Sequence, residues 1–298
     1  MRPWTAVPPQ SGRRFVITGA NSGVGFHAAR ILGSRGATLV LACRNLEKGE
    51  EAARQVPGHD AGRVVVRRLD VSDLSSVRAF AESLLDEVDG IDVLVNNAGV
   101  LGAPFGLTVD GVETHFATNH LGHFALTNLL LPRIRDRVVV TSSREHRGGS
   151  DLDLEDLAWE RRRYRAFAAY SQSKLANLLF MSELQRRLSA AGSDVRAVGA
   201  HPGASSTNIT GGSGHPVLTW IGYHGQRLVS MPAWRGALNT VYAATMDIPG
   251  DTYIGPHGRL ELHGWPAPAR RSKASQDADL ARRLWEVSEK LSGVTFPL

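Results

Sequence analysis

The amino-acid sequence predicts a doubly wound α/β (Rossmann) protein with a parallel sheet and helices on both faces. Three observations carry this. Short β-branched runs alternate with longer helical patterns through the first two-thirds of the chain, the signature of β-α-β units with right-handed crossovers. The strand runs are almost continuously apolar, as strands buried on both sides are. A glycine-rich turn, "TGANSGVG" (Thr18 to Gly25), joins the first strand to the first helix.

The elements follow in order. "RFVIT" (14–18) is the first strand, leading into a helix over 23–35. "ATLVLAC" (37–43) is the second, with a helix over 46–55, and "RVVVRRLD" (63–70) the third. A helix over 74–87 has Ser72 or Asp73 as its cap. "IDVLVNNAG" (91–99) is a strand running into a turn, and a long helix covers 111–131. "RVVVTSS" (137–143) is the fifth strand, 166–191 a second long helix, and "DVRAVGAHPG" (194–203) the sixth strand. A short strand near 252–255 and a helix over 277–291 complete the chain.

No repeat, low-complexity segment or linker interrupts this order, so 1–298 reads as one domain. Residues 204–233 are rich in Gly, Ser, Thr and Pro and follow a strand's C-terminal end, where ligands bind in such sheets. They read as a substrate lid, and 145–167 as an insert before the second long helix.

Composition narrows the class. With 42% hydrophobic and 21% charged residues the chain is globular. The lone cysteine, Cys43, excludes an internal disulfide and fits a reducing compartment. The N-terminus has no apolar run of signal or anchor type, and "LGHFALTNLLLP" is about half a membrane span. A cytoplasmic protein with no membrane partner is expected. The basic runs "RRRYR" (161–165) and "RRSK" (270–273) have little aromatic interleaving and read as solvated surface, not a nucleic-acid site. His115, His120, His123, His146 and His201 lack metal-ligand spacing with Glu or Cys, so no metal is expected. No Ser-His-Asp arrangement with a nucleophile elbow is present.

The glycine turn has the spacing G-x-x-x-G-x-G. Gly19, Gly23 and Gly25 remove side chains where a pyrophosphate would approach, and the free amides of the next helix face the anion. The second strand ends in "LACRN", with no acidic side chain to hold a ribose 2′-hydroxyl. Arg44 stands there instead, and a guanidinium suits a 2′-phosphate. NADP(H) is therefore expected over NAD(H). Asp70 has two readings: acceptor from an adenine amino group, or cap of the next helix.

"AYSQSKLAN" (Ala169 to Asn177) puts Tyr170 and Lys174 one turn apart on one helical face. The pair is either an ordinary surface contact or a proton donor beside the cation that tunes it.

"TGANSGVG", "LDVSD" (69–73), "NNAG" (96–99), "TNHLGHF" (118–124), "VVVTSS" (138–143), "YSQSK" (170–174) and "HPG" (201–203) stand in one order across nearly the whole chain. Together they closely resemble the short-chain dehydrogenase/reductase family. "ACRN", "TNHLGHFALTNLLLP", "SKLANLLF" and "RLWEVSEKLSGV" resemble its retinol-dehydrogenase-like branch.

The resemblance implies a seven-stranded parallel sheet in the order 3-2-1-4-5-6-7 and hydride transfer between a nicotinamide and a carbonyl or alcohol carbon. Tyr170 would be the acid/base. Lys174 would lower its pKa and bond the nicotinamide ribose. Ser143, preferred over Ser142, would bond the substrate oxygen, and Asn119 would hold a water linking Lys174 to solvent. The implied cofactor contacts are Gly19, Asn21, Ser22, Gly23, Val24, Gly25, Arg44, Asp70, Val71, Asn97, Ala98, Gly99, Tyr170, Lys174, Pro202, Gly203 and Thr207. Asn96 would tie neighbouring strands.

The substrate pocket would draw on 101–105, 144–164 and 204–234, with Trp159, Tyr164, Trp220, Tyr223 and Met231 supplying apolar surface. That favours a lipophilic or aromatic ketone, aldehyde or secondary alcohol. Family members often pair through the two long helices, so a homodimer or homotetramer is implied. Competing classes are a catalytically silent nucleotide-sensing scaffold, an epimerase or dehydratase, and a cyclase or isomerase that tailors secondary metabolites. The intact Asn119, Ser143, Tyr170 and Lys174 favour the redox reading.

Overall fold

A computed structural model describes residues 6–149, 152–204 and 231–298. Its eight-stranded sheet has the order β3-β2-β1-β4-β5-β6-β7-β8. The strands are β1 (Arg14–Thr18), β2 (Thr38–Cys43), β3 (Val64–Arg68), β4 (Ile91–Asn96), β5 (Ile134–Thr141), β6 (Arg196–Ala200), β7 (Tyr253–Pro256) and β8 (Pro266–Pro268). The first seven pair in parallel in the expected order, and β8 adds an antiparallel edge on β7. "PAP" reads as a non-strand because proline donates no ladder bond, a defect that an edge position tolerates.

Alternate side chains of each central strand enter opposite cores. Val16 joins one and Phe15 and Ile17 the other; Val40 and Ala42 likewise oppose Leu39, Leu41 and Cys43. One face is covered by α3 (Leu74–Glu87), α5 (Gly122–Leu130), α6 (Ala166–Ala190) and α8 (Ala278–Ser292), through Phe80, Phe124, Leu178 and Trp285. The other is covered by α1 (Gly23–Ser34), α2 (Leu46–Ala53) and α7 (Ala233–Thr245), through Leu32, Ala53 and Val241. The sequence reading did not include α7, whose apolar spacing is broken by Gly236 and β-branched residues.

The long helix expected over 111–131 is also different. Gly111 has φ +74°, and an isolated bridge pairs Leu107 with Glu113. Helix begins at α4 (Thr114–Phe116), opens into a π turn over Ala117–Leu121, and continues as α5. Asp73 caps α3 by accepting from the Ser75 and Ser76 amides, while Asp70 makes the preceding turn with Ser72. The strand order reverses between β1 and β4, so a crevice opens there, beyond the strand tips.

Candidate active site

A cleft of about 450 Å³ occupies this crevice. Its floor begins at the glycine turn. Gly19 and Gly23 adopt φ +64° and +57°, a region that favours glycine. A Cβ on Gly25 would lie 2.5 Å from Asn97 Nδ2 and 2.7 Å from the Gly19 carbonyl, so glycine lets α1 pack onto the turn. Ser22 stands at the N-cap without a side-chain cap bond, and the first turn holds no acidic residue. An N-terminus free of a side-chain cap and of acidic residues, with the bare backbone, fits a dinucleotide pyrophosphate.

Asn97 fastens the turn to β4. Its side chain donates to the Thr18 carbonyl at 2.9 Å, and the Asn97 and Ala98 amides both donate to Thr18 Oγ1 at 2.9 Å. Asn96, expected to tie strands, instead donates to Thr127 Oγ1 on α5 at 2.8 Å. Side chains alternate along β4, so Asn96 faces the helix layer.

Of the residues expected at the site, Gly19, Asn21, Ser22, Gly23, Val24, Arg44, Asp70, Val71, Asn97, Ala98, Gly99, Tyr170, Lys174 and Pro202 line the cleft. Gly25 packs behind it. Gly203, at φ +69°, packs against Leu262 and Pro256 and is not in the lining. Thr207, Trp220, Tyr223 and most of the lid lie outside the described residues. Asn45, Lys48, Val100, Thr118 and Thr141, which the sequence does not single out, also line the cleft, as does Ser142, the alternative to Ser143. Lys48 had a readable signal: a second cation one turn beyond Arg44. Arg44 is mostly exposed, with Nε 4.0 Å from Asp70 Oδ2.

Helix α6 is buried almost all round from Ala169 to Leu184. Its polar groups therefore need partners. Ser173 Oγ donates to the Tyr170 carbonyl at 2.7 Å, Asn177 Nδ2 donates to the Thr141 carbonyl at 2.9 Å, and Lys174 Nζ makes a longer 3.4 Å contact with that carbonyl. Lys174 Nζ lies 5.7 Å from the Tyr170 ring centre. Ser143 stands near the Tyr170 phenol and pulls its pKa down, while its Oγ accepts from the Glu145 amide at 3.2 Å. Ser142, which lines the cleft where Ser143 does not, donates to the Lys174 carbonyl at 2.7 Å.

Burial pushes the Tyr170 phenol up to about 12, against a downward pull from Ser143. Burial likewise pushes the Lys174 ammonium down to about 8. The expected lowering of Tyr170 by Lys174 is thus not the dominant effect here; desolvation is. At neutral pH the pair is a neutral phenol beside a cation, the form that donates a proton.

The Asn119 side chain is held by protein groups. Its Oδ1 accepts from the Val100 amide at 2.8 Å, and its Nδ2 donates to the Val100 carbonyl at 3.0 Å and to Ser173 Oγ at 2.8 Å. Both amide hydrogens are committed to protein, so the side chain works as a clamp on Val100. Gly99 sits under this clamp, where a Cβ would be 2.9 Å from Asn119 Oδ1 and 3.4 Å from Lys174 Nζ.

The expected apolar pocket residues divide: Trp159 and Met231 are buried in packing, whereas Phe105 is exposed, as is Phe167, which was not among them. Phe105 stacks edge-on against Tyr164, and the Phe167 ring lies 6.5 Å from that of Tyr170. Among the described residues, no group of three His, Cys, Asp or Glu is placed to hold a metal, and no helix is long and apolar enough to cross a membrane.

The sheet, the glycine turn and the Ser-Tyr-Lys cluster at the strand tips define a Rossmann-type dinucleotide oxidoreductase. A sequence model described as short chain dehydrogenase matches residues 13–216. Human retinol dehydrogenase 13 is 39% identical over 298 aligned residues, covering 96% of this chain and 86% of that protein. Mouse retinol dehydrogenase 12 is 40% identical over 290, covering 96% and 88%. A crystal structure of an uncharacterized protein from Mycobacterium paratuberculosis is 51% identical, with a TM-score of 0.84 over 99% of this chain and 100% of that one. The chain belongs to the short-chain dehydrogenase family, on its retinol-dehydrogenase-like side, and is an NAD(P)-dependent oxidoreductase.

Proposed function

We propose that this protein is an NADP(H)-dependent carbonyl reductase or alcohol dehydrogenase acting on lipophilic or aromatic ketones, aldehydes or secondary alcohols. The observation that carries the reading is the Tyr170 phenol in the cleft, with Ser143 nearby and the Lys174 ammonium one turn away. A bound nicotinamide would supply the hydride to the carbonyl carbon.

Tyr170 would give its proton to the carbonyl oxygen. The phenolate left behind would be held by Ser143 and the neighbouring cation. The glycine turn would hold the pyrophosphate, and Gly99 would leave room for the ribose beside Lys174. Arg44 and Lys48 at the rim, with no acidic residue ending β2, support a 2′-phosphate. Exposed Phe105 and Phe167 support a lipophilic substrate.

The test is a panel of carbonyl compounds scored by NADPH oxidation, with Tyr170→Phe as control. That variant should lose about two orders of magnitude or more in turnover while binding NADPH within a few-fold. Unchanged turnover would remove Tyr170 from the acid role.

A further inference from the structure

A buried carboxylate and imidazole meet a half-buried phenol beside Tyr170. Glu113 Oε1 lies 2.8 Å from His115 Nδ1, and the Tyr164 hydroxyl donates to the same oxygen at 3.0 Å. The Tyr164 hydroxyl is also 3.0 Å from His115 Nδ1. Glu113 Oε2 accepts from the Phe116 amide at 2.8 Å. The Ala103 amide donates to His115 Nε2 at 3.2 Å, so that nitrogen presents its lone pair and the ring proton sits on Nδ1, facing the carboxylate.

Burial pushes the Glu113 carboxyl up, but the His115 bond and the helix-entry amides outweigh it and hold the group below its ordinary range. Burial and Glu113 together push the Tyr164 phenol up, so it stays a donor.

The cluster joins segments far apart in sequence: the loop after β4, the entry to α4 and the end of the insert. The His115 ring then stands edge-on to the Tyr170 ring, 6.3 Å away at 71°, and Tyr164 carries Phe105 against it at 5.2 Å. An ordinary surface loop would satisfy the Ala103 amide with water. Here the bond is made by an imidazole that is itself oriented by a charged, fully enclosed carboxylate.

We propose that Glu113, His115 and Tyr164 form a positioning joint that sets the carbonyl-binding wall, residues 100–106 and the end of the insert, against Tyr170. The proposal rests on the carbonyl-reductase reading. The joint does not touch the reacting atoms; it governs how well the substrate is held.

Tyr164→Phe, which removes only the hydroxyl, tests it in two arms. Hydrogen exchange of the intact protein should speed up at the amides of 100–106 while the glycine turn is unchanged. The KM for a reduced carbonyl should rise about tenfold, with kcat and the KM for NADPH each within about threefold. Glu113→Gln, which keeps an acceptor without the charge, should fall between wild type and Tyr164→Phe in both arms. Wild-type exchange in Tyr164→Phe overturns the joint. Faster exchange with an unmoved carbonyl KM, or an equal rise in the KM for NADPH, overturns its positioning role. A wild type that reduces no carbonyl refutes the functional reading itself, and the wall's role in substrate binding with it.

Discussion

Replacing Lys174 by methionine should make the ligand-free protein more stable while removing its activity. The ammonium is buried and its pKa falls from 10.5 to about 8 through desolvation. Below pH 8 both folded and unfolded chains carry the proton, so folding bears the full cost of burying the cation. Between pH 8 and 10.5 the folded chain is neutral while the unfolded chain still holds its proton, and stability rises with pH. Above that window the cost is gone. A shift of this size corresponds to about 3 kcal/mol. The group's direct compensation in the structure is the 3.4 Å contact with the Thr141 carbonyl, worth about 1 kcal/mol at most. Lys174→Met should therefore raise stability at pH 7 by about 2 kcal/mol, or roughly 4 °C in melting temperature. Denaturant melts of both proteins from pH 7 to 10.5 test this: the gap should close as pH rises. A variant less stable at pH 7, or two curves that run parallel, would refute the desolvation argument.

Other outcomes follow from the same geometry. Arg44→Asp should weaken NADPH binding far more than NADH binding, measured by titration of each; equal losses would discard the 2′-phosphate contact. Gly25→Ala should unseat α1 from the turn, because its methyl would collide with Asn97 and the Gly19 carbonyl; loss of dinucleotide affinity together with a lowered melting temperature is expected. Burial depresses His120 to about 3 and His123 and His146 to about 4. The unfolded chain takes up these protons first, so stability falls as pH drops below 6.5. The loss at pH 5 is roughly 6 kcal/mol for the three together, on the order of a whole domain's stability. A urea midpoint unchanged between pH 7 and 5 would contradict this.

What was legible in the sequence is what local spacing encodes. Strands β1 to β7 declare themselves by apolar runs, the glycine turn by its position after β1, and the Tyr170–Lys174 pair by helical periodicity. What depends on distant groups was hidden. Nothing in "NNAG" says that Asn97, and not Asn96, will reach Thr18, because the choice is made by which face of β4 the helices cover. The π turn at Ala117–Leu121 leaves no mark in a pattern of apolar spacing, and His115 looks like a stray histidine until the insert brings Tyr164 to it. The shift of Tyr170 is hidden for the same reason: spacing reveals the neighbouring cation, but only packing reveals that desolvation dominates.

The π turn also explains why position 119 calls for a side-chain amide. By its hydrogen bonds to the Val100 amide and carbonyl, Asn119 acts as a strand neighbour for a residue that lies beyond the end of β4. Aspartate would offer only acceptors and would set a charge against the Val100 carbonyl; leucine would offer neither group. The third bond, to Ser173 Oγ, links the same amide to α6 one residue before Lys174. The slot that receives the Lys174 ammonium is thus bounded by Gly99 and Thr141 and held at its width by Asn119. The spacing of Tyr170 and Lys174 on one helix sets their separation. Their position against the crevice is set by backbone at the tips of β4 and β5, and that backbone is fixed by side chains distant in sequence from the helix that carries the chemistry.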